Sequence, residues 1–239
     1  MFKDRFFSYF LLFLFVFANL MFWSYSKNVV KPWSNVPQAP LKTHAVMTTL
    51  GDKQLAYRFY AMMLQNFGSV GGQYVSLKEY DYSRLQNWFL LEDYLDPVSD
   101  AVPMMAAYYY GAVMDDDKQD KVLDYLAVVG ARPEGNKWRW LAHAVYLAQH
   151  EQENNDRALE LAYILAENKN PNMSDWAKQM PVFILRSQGE TELAYDIMLN
   201  ILVSNVDTLH PNEINYMTDY ICNTLLKELP NKTPPPFCE

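Results

Sequence analysis

Cysteine is scarce in this chain. Only Cys222 and Cys238 occur in 239 residues, and neither has a neighbour at C-x-x-C spacing. A cysteine zinc site or a dithiol redox motif is therefore not expected. In an oxidising compartment the two would pair and tie the tail to the last helix, closing a loop of about 15 residues for roughly 3 kcal/mol. Two free thiols are the equal alternative. Glycine is nearly as sparse, with 8 residues. The one cluster, NFGSVGG at 66–72, lacks the Lys-Ser/Thr that follows in a phosphate-binding loop, so it reads as a plain loop. Four histidines stand at 44, 143, 150 and 210. His143 and His150 are seven apart rather than four, and His150-Glu151 lacks the second histidine of H-E-x-x-H. No G-x-S-x-G surrounds a serine. The run Asp115–Asp117 lacks the spacing of a calcium loop. Carboxylates such as Glu92, Asp93, Glu151 and Glu153 fall in turns or on polar helix faces, where solvation accounts for them.

Excess positive charge is also missing. The net charge is −8, and residues 1–31 carry Lys3, Arg5, Lys27 and Lys31 against Asp4, which leaves −11 for 32–239. An acidic body lacks the basic face that nucleic-acid phosphates require. No cofactor and no small-molecule substrate are expected. Alternating strand-like runs are lacking too, so the fold is expected to be all-α.

What the chain has in quantity is apolar and aromatic surface: half of its residues are hydrophobic, with 17 Tyr, 13 Phe and 6 Trp. Phe6–Tyr25 runs without a charge and as a helix would extend about 30 Å, the thickness of a bilayer's hydrocarbon core. Phe22, Trp23 and Tyr25 crowd its end, where rings suit the membrane interface. The competing reading is a cleaved signal peptide with Ser24-Tyr25-Ser26 as its site. Bulky flanking residues and the full spanning length favour a retained single-pass anchor. A very short leading segment, 1–5, stays in the cytoplasm, which places the acidic domain outside it, in the periplasm of a bacterium. Residues 26–42 read as a proline-containing linker, with Trp33 at the membrane surface or docked on the domain. A repetitive helical domain follows over 43–229, and 230–239 is a proline-rich tail.

The repetition is explicit. Gly51–Leu64, GDKQLAYRFYAMML, returns as Gly189–Leu202, GETELAYDIMLNIL, 138 residues later, close to four lengths of a 34-residue unit. Asp96-Pro97, Arg132-Pro133 and Asn170-Pro171 end helices at intervals of 36 and 38, with two helices in each interval. Helices are expected over 43–47, 53–65, 83–95, 102–114, 120–129, 138–150, 156–168, 174–187, 191–204 and 212–229, with Ser174 capping the eighth. Small residues at fixed spacing, Ala56, Ala144, Ala158 and Ala194, let one helix dock closely on the next. The helix near Leu123 lacks that small residue, and 68–82 fits no unit.

This phrasing resembles the tetratricopeptide repeat. Tyr110-Gly111 stands for its Leu-Gly, Trp140 with Ala144 carries an aromatic and a small position, and Gln188-Gly189-Glu190 is a well-kept turn. The resemblance covers about 43–205 and implies a right-handed α-solenoid of helix pairs, a concave groove and a protein partner. Transferred position by position, the groove face comprises Met105 and Tyr108 from one helix. It takes Trp138, Leu141 and Val145 from the next, and Trp176, Gln179, Phe183 and Arg186 from a third. Trp138, Trp140 and Trp176 also fit a core. The expectation is a membrane-tethered adaptor or scaffold, not an enzyme. An obligate subunit of a larger membrane complex is the first alternative. An enzyme acting on envelope glycans, which would need two carboxylates across a cleft, is the second.

Overall fold

The computed structural model describes residues 2–26, 35–70 and 73–238. Two compact units result, residues 1–35 and 36–239. The first holds one helix, α1 (Phe2–Ser26), of which Tyr9–Ser26 has a mean hydropathy of 1.6 and is long and apolar enough to cross a membrane. Its apolar side chains from Tyr9 to Tyr25 are exposed. Residues 27–34 of the linker, with Lys27, Lys31 and Trp33, lie outside the described residues.

The second unit is all-α apart from a two-residue-per-strand hairpin, Ser69–Val70 against Gln73–Tyr74. Its helices are α2 (Lys42–Met47), α3 (Lys53–Gln65), α4 (Tyr82–Leu95), α5 (Ala101–Tyr108), α6 (Asp116–Gly130), α7 (Trp138–His150) and α8 (Asn155–Ala166). After them come α9 (Asp175–Lys178), α10 (Met180–Ser187), α11 (Thr191–Asn205), α12 (Pro211–Tyr220) and, beyond a π-turn at Ile221–Leu225, α13 (Leu226–Glu228). Packing is strongly sequential: α3 lies on α4, α4 on α6, α6 on α7, α7 on α8, α8 on α10 and α10 on α11. From α5 onward five polar contacts each reach across 32 to 38 residues. Lys137 reaches Asp100, Gln152 reaches Asp120, Arg157 reaches Asp124, Asn168 the Gly130 carbonyl and Gln179 reaches Glu213. Each step crosses about one repeat length, as expected when every unit touches only its neighbours.

The small residues sit where close docking needs them, with Ala56, Ala144, Ala158 and Ala194 all fully buried. The helix near Leu123, which lacks such an alanine, uses Gly130 instead. A β-carbon there would run into the Leu141 backbone and side chain at the start of α7. The two quoted glycines both take positive φ, 94° at Gly51 and 85° at Gly189, the left-handed region that glycine occupies without a Cβ penalty.

Three expectations are corrected. The helix expected over 102–114 ends at Tyr108 and continues as a 3₁₀ turn, Tyr110–Ala112. The hydroxyl of Tyr82 donates to the Tyr110 carbonyl and the amide of Gln119 to that of Gly111, so these carbonyls are satisfied outside a helical ladder. The helix expected over 174–187 is broken at Gln179, because Pro181 has no N–H to donate and opens a new helix near its own N-terminus. Ser174 stands at the N-cap of α9 but makes no side-chain cap bond. Where no repeat fits, 68–82 folds as the hairpin and a 3₁₀ turn, Leu77–Glu79, closed by the Tyr80 hydroxyl donating to the Phe67 carbonyl.

Cys222 and Cys238 are disulfide-bonded, with their Cα atoms 5.5 Å apart. The bond holds the tail against a smaller cluster of buried side chains that includes Val182, Ala194, Met198, Met217 and Ile221. A larger core runs from Val36 to Ile184. Glu92, expected on a solvated face, is instead fully buried, and neither of its carboxylate oxygens has a hydrogen-bond partner among the described residues. Burial pushes its pKa up to about 8.

Candidate functional site

An open groove of about 1080 Å³ runs along α7 and across α9 and α10. Its wall is built by the helical period. On α7 the apolar residues Trp138, Leu141, Val145 and Ala148 recur at helical spacing and turn into the core. The face one residue further round, Arg139, His143, Tyr146 and His150, is left for the groove. Rings form a ladder along it: Tyr108 to His143 at 4.5 Å, His143 to Tyr146 at 5.8 Å, and Tyr146 to His150 at 4.8 Å between centroids. Across the floor Trp138 meets Trp176 edge to face at 5.6 Å, a geometry favoured by the ring quadrupoles.

The charges in the groove are few. Asp100 is the carboxylate among the lining residues. It accepts hydrogen bonds from Lys137 Nζ and Trp140 Nε1, both at 2.8 Å. Burial alone would raise the Asp100 pKa, but these two donors outweigh it and hold the carboxyl below its ordinary range. His143 is depressed, chiefly by burial, with a hydrogen bond to the Ala107 carbonyl opposing the shift. The groove therefore presents ring faces, a neutral imidazole at pH 7 and one exposed guanidinium, Arg139.

Of the residues expected at the site, Tyr108, Trp138, Trp176 and Phe183 line the groove. Tyr108 and Trp176 are open to solvent, at 64% and 41% exposure, whereas Trp138 contributes little more than an edge at 4%. Met105 is half-buried against the core. Leu141 and Val145 are corrected: both are fully buried, since the most apolar stripe of α7 is the one the core takes. Gln179 is corrected as well. It is fully buried at the break between α9 and α10 and donates to Glu213 on α12 at 2.9 Å. Arg186 is absent from the groove lining. Its guanidinium bonds Glu228 at 2.7 and 3.0 Å and lies over the Tyr220 ring, so it braces α10 against the last helix. That pairing raises the Arg186 pKa and lowers that of Glu228.

The sequence reading missed His143, Tyr146 and His150. Their signal was the spacing i, i+4, i+7, i+11 with Arg139, a polar-aromatic stripe directly beside the apolar one. Among the described residues no group of three or more His, Cys, Asp or Glu is placed to hold a metal ion. Compared with protein-family models, with curated proteins and with solved structures, the chain matches none.

Proposed function

We propose that this protein is a membrane-tethered adaptor whose groove over α7, α9 and α10 holds a segment of another protein. In this reading α1 is a single-pass anchor, the helical domain lies outside the cytoplasm, and the helix pairs form a right-handed, tetratricopeptide-like solenoid. One observation carries it: the groove is walled by aromatic residues, Tyr108, Trp140, Tyr146, Trp176 and Phe183, that remain accessible on a folded domain. Rigid rings supply large contact area at low entropic cost and dominate interface energetics. Asp100, already engaged by Lys137 and Trp140, supports binding over a hydrolysis that needs two free carboxylates facing each other.

The test is a photo-crosslinking residue at Tyr146 in native membranes, with a second at Tyr163 on α8 as the control. A discrete adduct from the first site alone is expected, and Tyr108→Ala with Trp176→Ala should abolish it in a domain that still folds, with a loss on the order of 1–3 kcal/mol in thermal unfolding because these rings pack on His143 and Trp138. An adduct that survives the double variant would remove the groove as the binding site.

A further inference from the structure

The groove over α7 runs on past both of its ends. Beyond Asp100 and Asn136, which it shares, a further recess of about 810 Å³ opens across α4 and the 132–137 turn. Towards the other end a recess of about 530 Å³ shares Tyr108, His143 and Tyr146 and is bordered by Asp116 and Glu151. The two ends differ in charge. Arg139, in the first turn of α7, is exposed and lies over the Trp138 ring at 5.7 Å. It makes no ion pair among the described residues, because Asp100 is taken by Lys137 and Trp140. Glu151, at the C-cap of α7, and Asp116 are exposed and also unpaired among the described residues. Arg139 and Glu151 each carry the sign that the α7 dipole disfavours at their end, so neither placement stabilises the helix. His150, in the last turn, is the group there that suits the dipole. Asp116 suits the start of its own helix, α6, and adds a second carboxylate to the Glu151 end.

We propose that the groove takes an extended protein segment carrying two opposite charges. An aspartate or glutamate side chain of the segment sits on Arg139, a lysine or arginine meets Glu151 and Asp116, and apolar or aromatic residues lie on the rings between. The inference rests on the groove being the binding site proposed above, and names the chemistry of its occupant. Charge complementarity is the first argument. A guanidinium braced on an indole face keeps its N–H edges for a carboxylate, which it binds bidentately. Complementary charge also fixes the register of a bound chain. Length is the second argument. Residues 139 and 151 stand about 18 Å apart along α7, at about 1.5 Å per residue. That is the span of roughly five or six extended residues at about 3.3 Å each. An extended chain has backbone groups to satisfy, and Asn136, Gln149, Asn172 and Ser174 line the groove with donors and acceptors. Continuity is the third argument. The recess beyond Arg139 lets the segment run on, so the carboxylate is a side chain rather than a chain end. That recess adds Lys42 against Glu134 and the paired Arg132 and Asp93, which leaves the balance at Arg139 unchanged.

The full chain in nanodiscs, titrated into three labelled and end-capped peptides, tests this. The peptides share a central pair of aromatic residues. Flanking it, about six residues apart, stand glutamate and lysine in the first, two lysines in the second and two glutamines in the third. Fluorescence anisotropy should show the glutamate–lysine peptide binding about tenfold or more tighter than the glutamine peptide. Arg139→Glu should reverse the preference, losing the glutamate–lysine peptide and gaining the two-lysine one, which a folding defect would not do. Arg58→Glu makes the same charge change on the exposed side of α3 and should leave all three affinities as they were. Equal binding of the three peptides, binding of none, or an Arg139→Glu variant that keeps the original order overturns the proposal. The Tyr146 crosslink in native membranes separates that failure from a deeper one. If the unaltered chain still gives its discrete adduct, the charge inference falls alone; if it gives none, the groove reading beneath it falls too.

Discussion

The two copies of the repeated phrase share an inner face and differ on the outer one. Counted from their glycines, Ala56 matches Ala194, Tyr57 matches Tyr195, Tyr60 matches Met198 and Leu64 matches Leu202, and all eight are buried. On the other side Arg58 faces its counterpart Asp196, and Met62 its counterpart Asn200. Phe59 is exposed where Ile197 packs on the smaller core. Asp196 is held by Lys232 of the tail at 2.6 Å, whereas α3 has an uncovered apolar stripe. Packing against the previous helix sets the shared positions. What each copy must face on its far side sets the rest.

The turns differ as well. At Gly189 the Glu190 amide donates to the Leu185 carbonyl and that of Gly189 to Arg186, a Schellman motif with glycine at its left-handed position. In the first copy the same pair of bonds is shifted by one residue, from Gly51 to Val46 and from Leu50 to Met47, so Leu50 takes the left-handed position. Asp52 then caps α3 by accepting from the Gln54 and Leu55 amides, while Glu190 makes no cap bond.

The largest expected separation between the copies comes from the disulfide. Cys222→Ser with Cys238→Ser should cost roughly 3 kcal/mol. Hydrogen exchange should locate the loss in α11–α13, with the amides of α3 and α4 keeping their protection. Uniform loss would mean that the two cores unfold as one. Overpacking tests the shared face: Ala56→Leu and Ala194→Leu should each lower stability by on the order of 2 kcal/mol, read from denaturant midpoints. If only one responds, the matched register is broken.

Glu92 separates the ends by pH. Its folded pKa is raised, so the stability it permits is full below the ordinary carboxylate range and is lost as pH rises towards about 8. Between pH 5 and 8 the protein should lose on the order of 3 kcal/mol through this group, and Glu92→Leu should flatten that slope and stabilise the protein at pH 8. An unchanged slope in urea titrations would show that Glu92 has partners in solution. The caps supply a smaller contrast: Asp52→Ala should cost about 1 kcal/mol and Glu190→Ala a few tenths. Arg186→Ala, which breaks a half-exposed pair with Glu228, should cost about 1 kcal/mol or less in thermal unfolding and leave groove crosslinking intact.

Much of the fold was legible from residues alone. The limits of α3, α4, α7 and α11 lie within one residue of those expected from apolar period and turn residues. The groove was legible only in part, because periodicity shows that a helix has two faces but not which neighbour each one meets. On α7 the apolar stripe Trp138, Leu141 and Val145 was expected in the groove and is core. The stripe beginning at Arg139, which drew no groove expectation, lines the groove. Arg186 was a free cation in the sequence because Glu228, 42 residues on, is brought to it only by the docking of the last helix on α10.

By itself the sequence determined what depends on neighbours within a few residues: helix extent, the glycine turns, the small docking positions and the apolar run of α1. Tertiary structure decided what depends on helices a repeat length apart. It closed the Cys222–Cys238 bond, left Glu92 without a partner and replaced the missing alanine near Leu123 with Gly130. It also kept α3's outer stripe open while α11 found Lys232. Local conformation follows from backbone propensity and period, but exposure and pairing are properties of a surface that exists only once the helices have stacked.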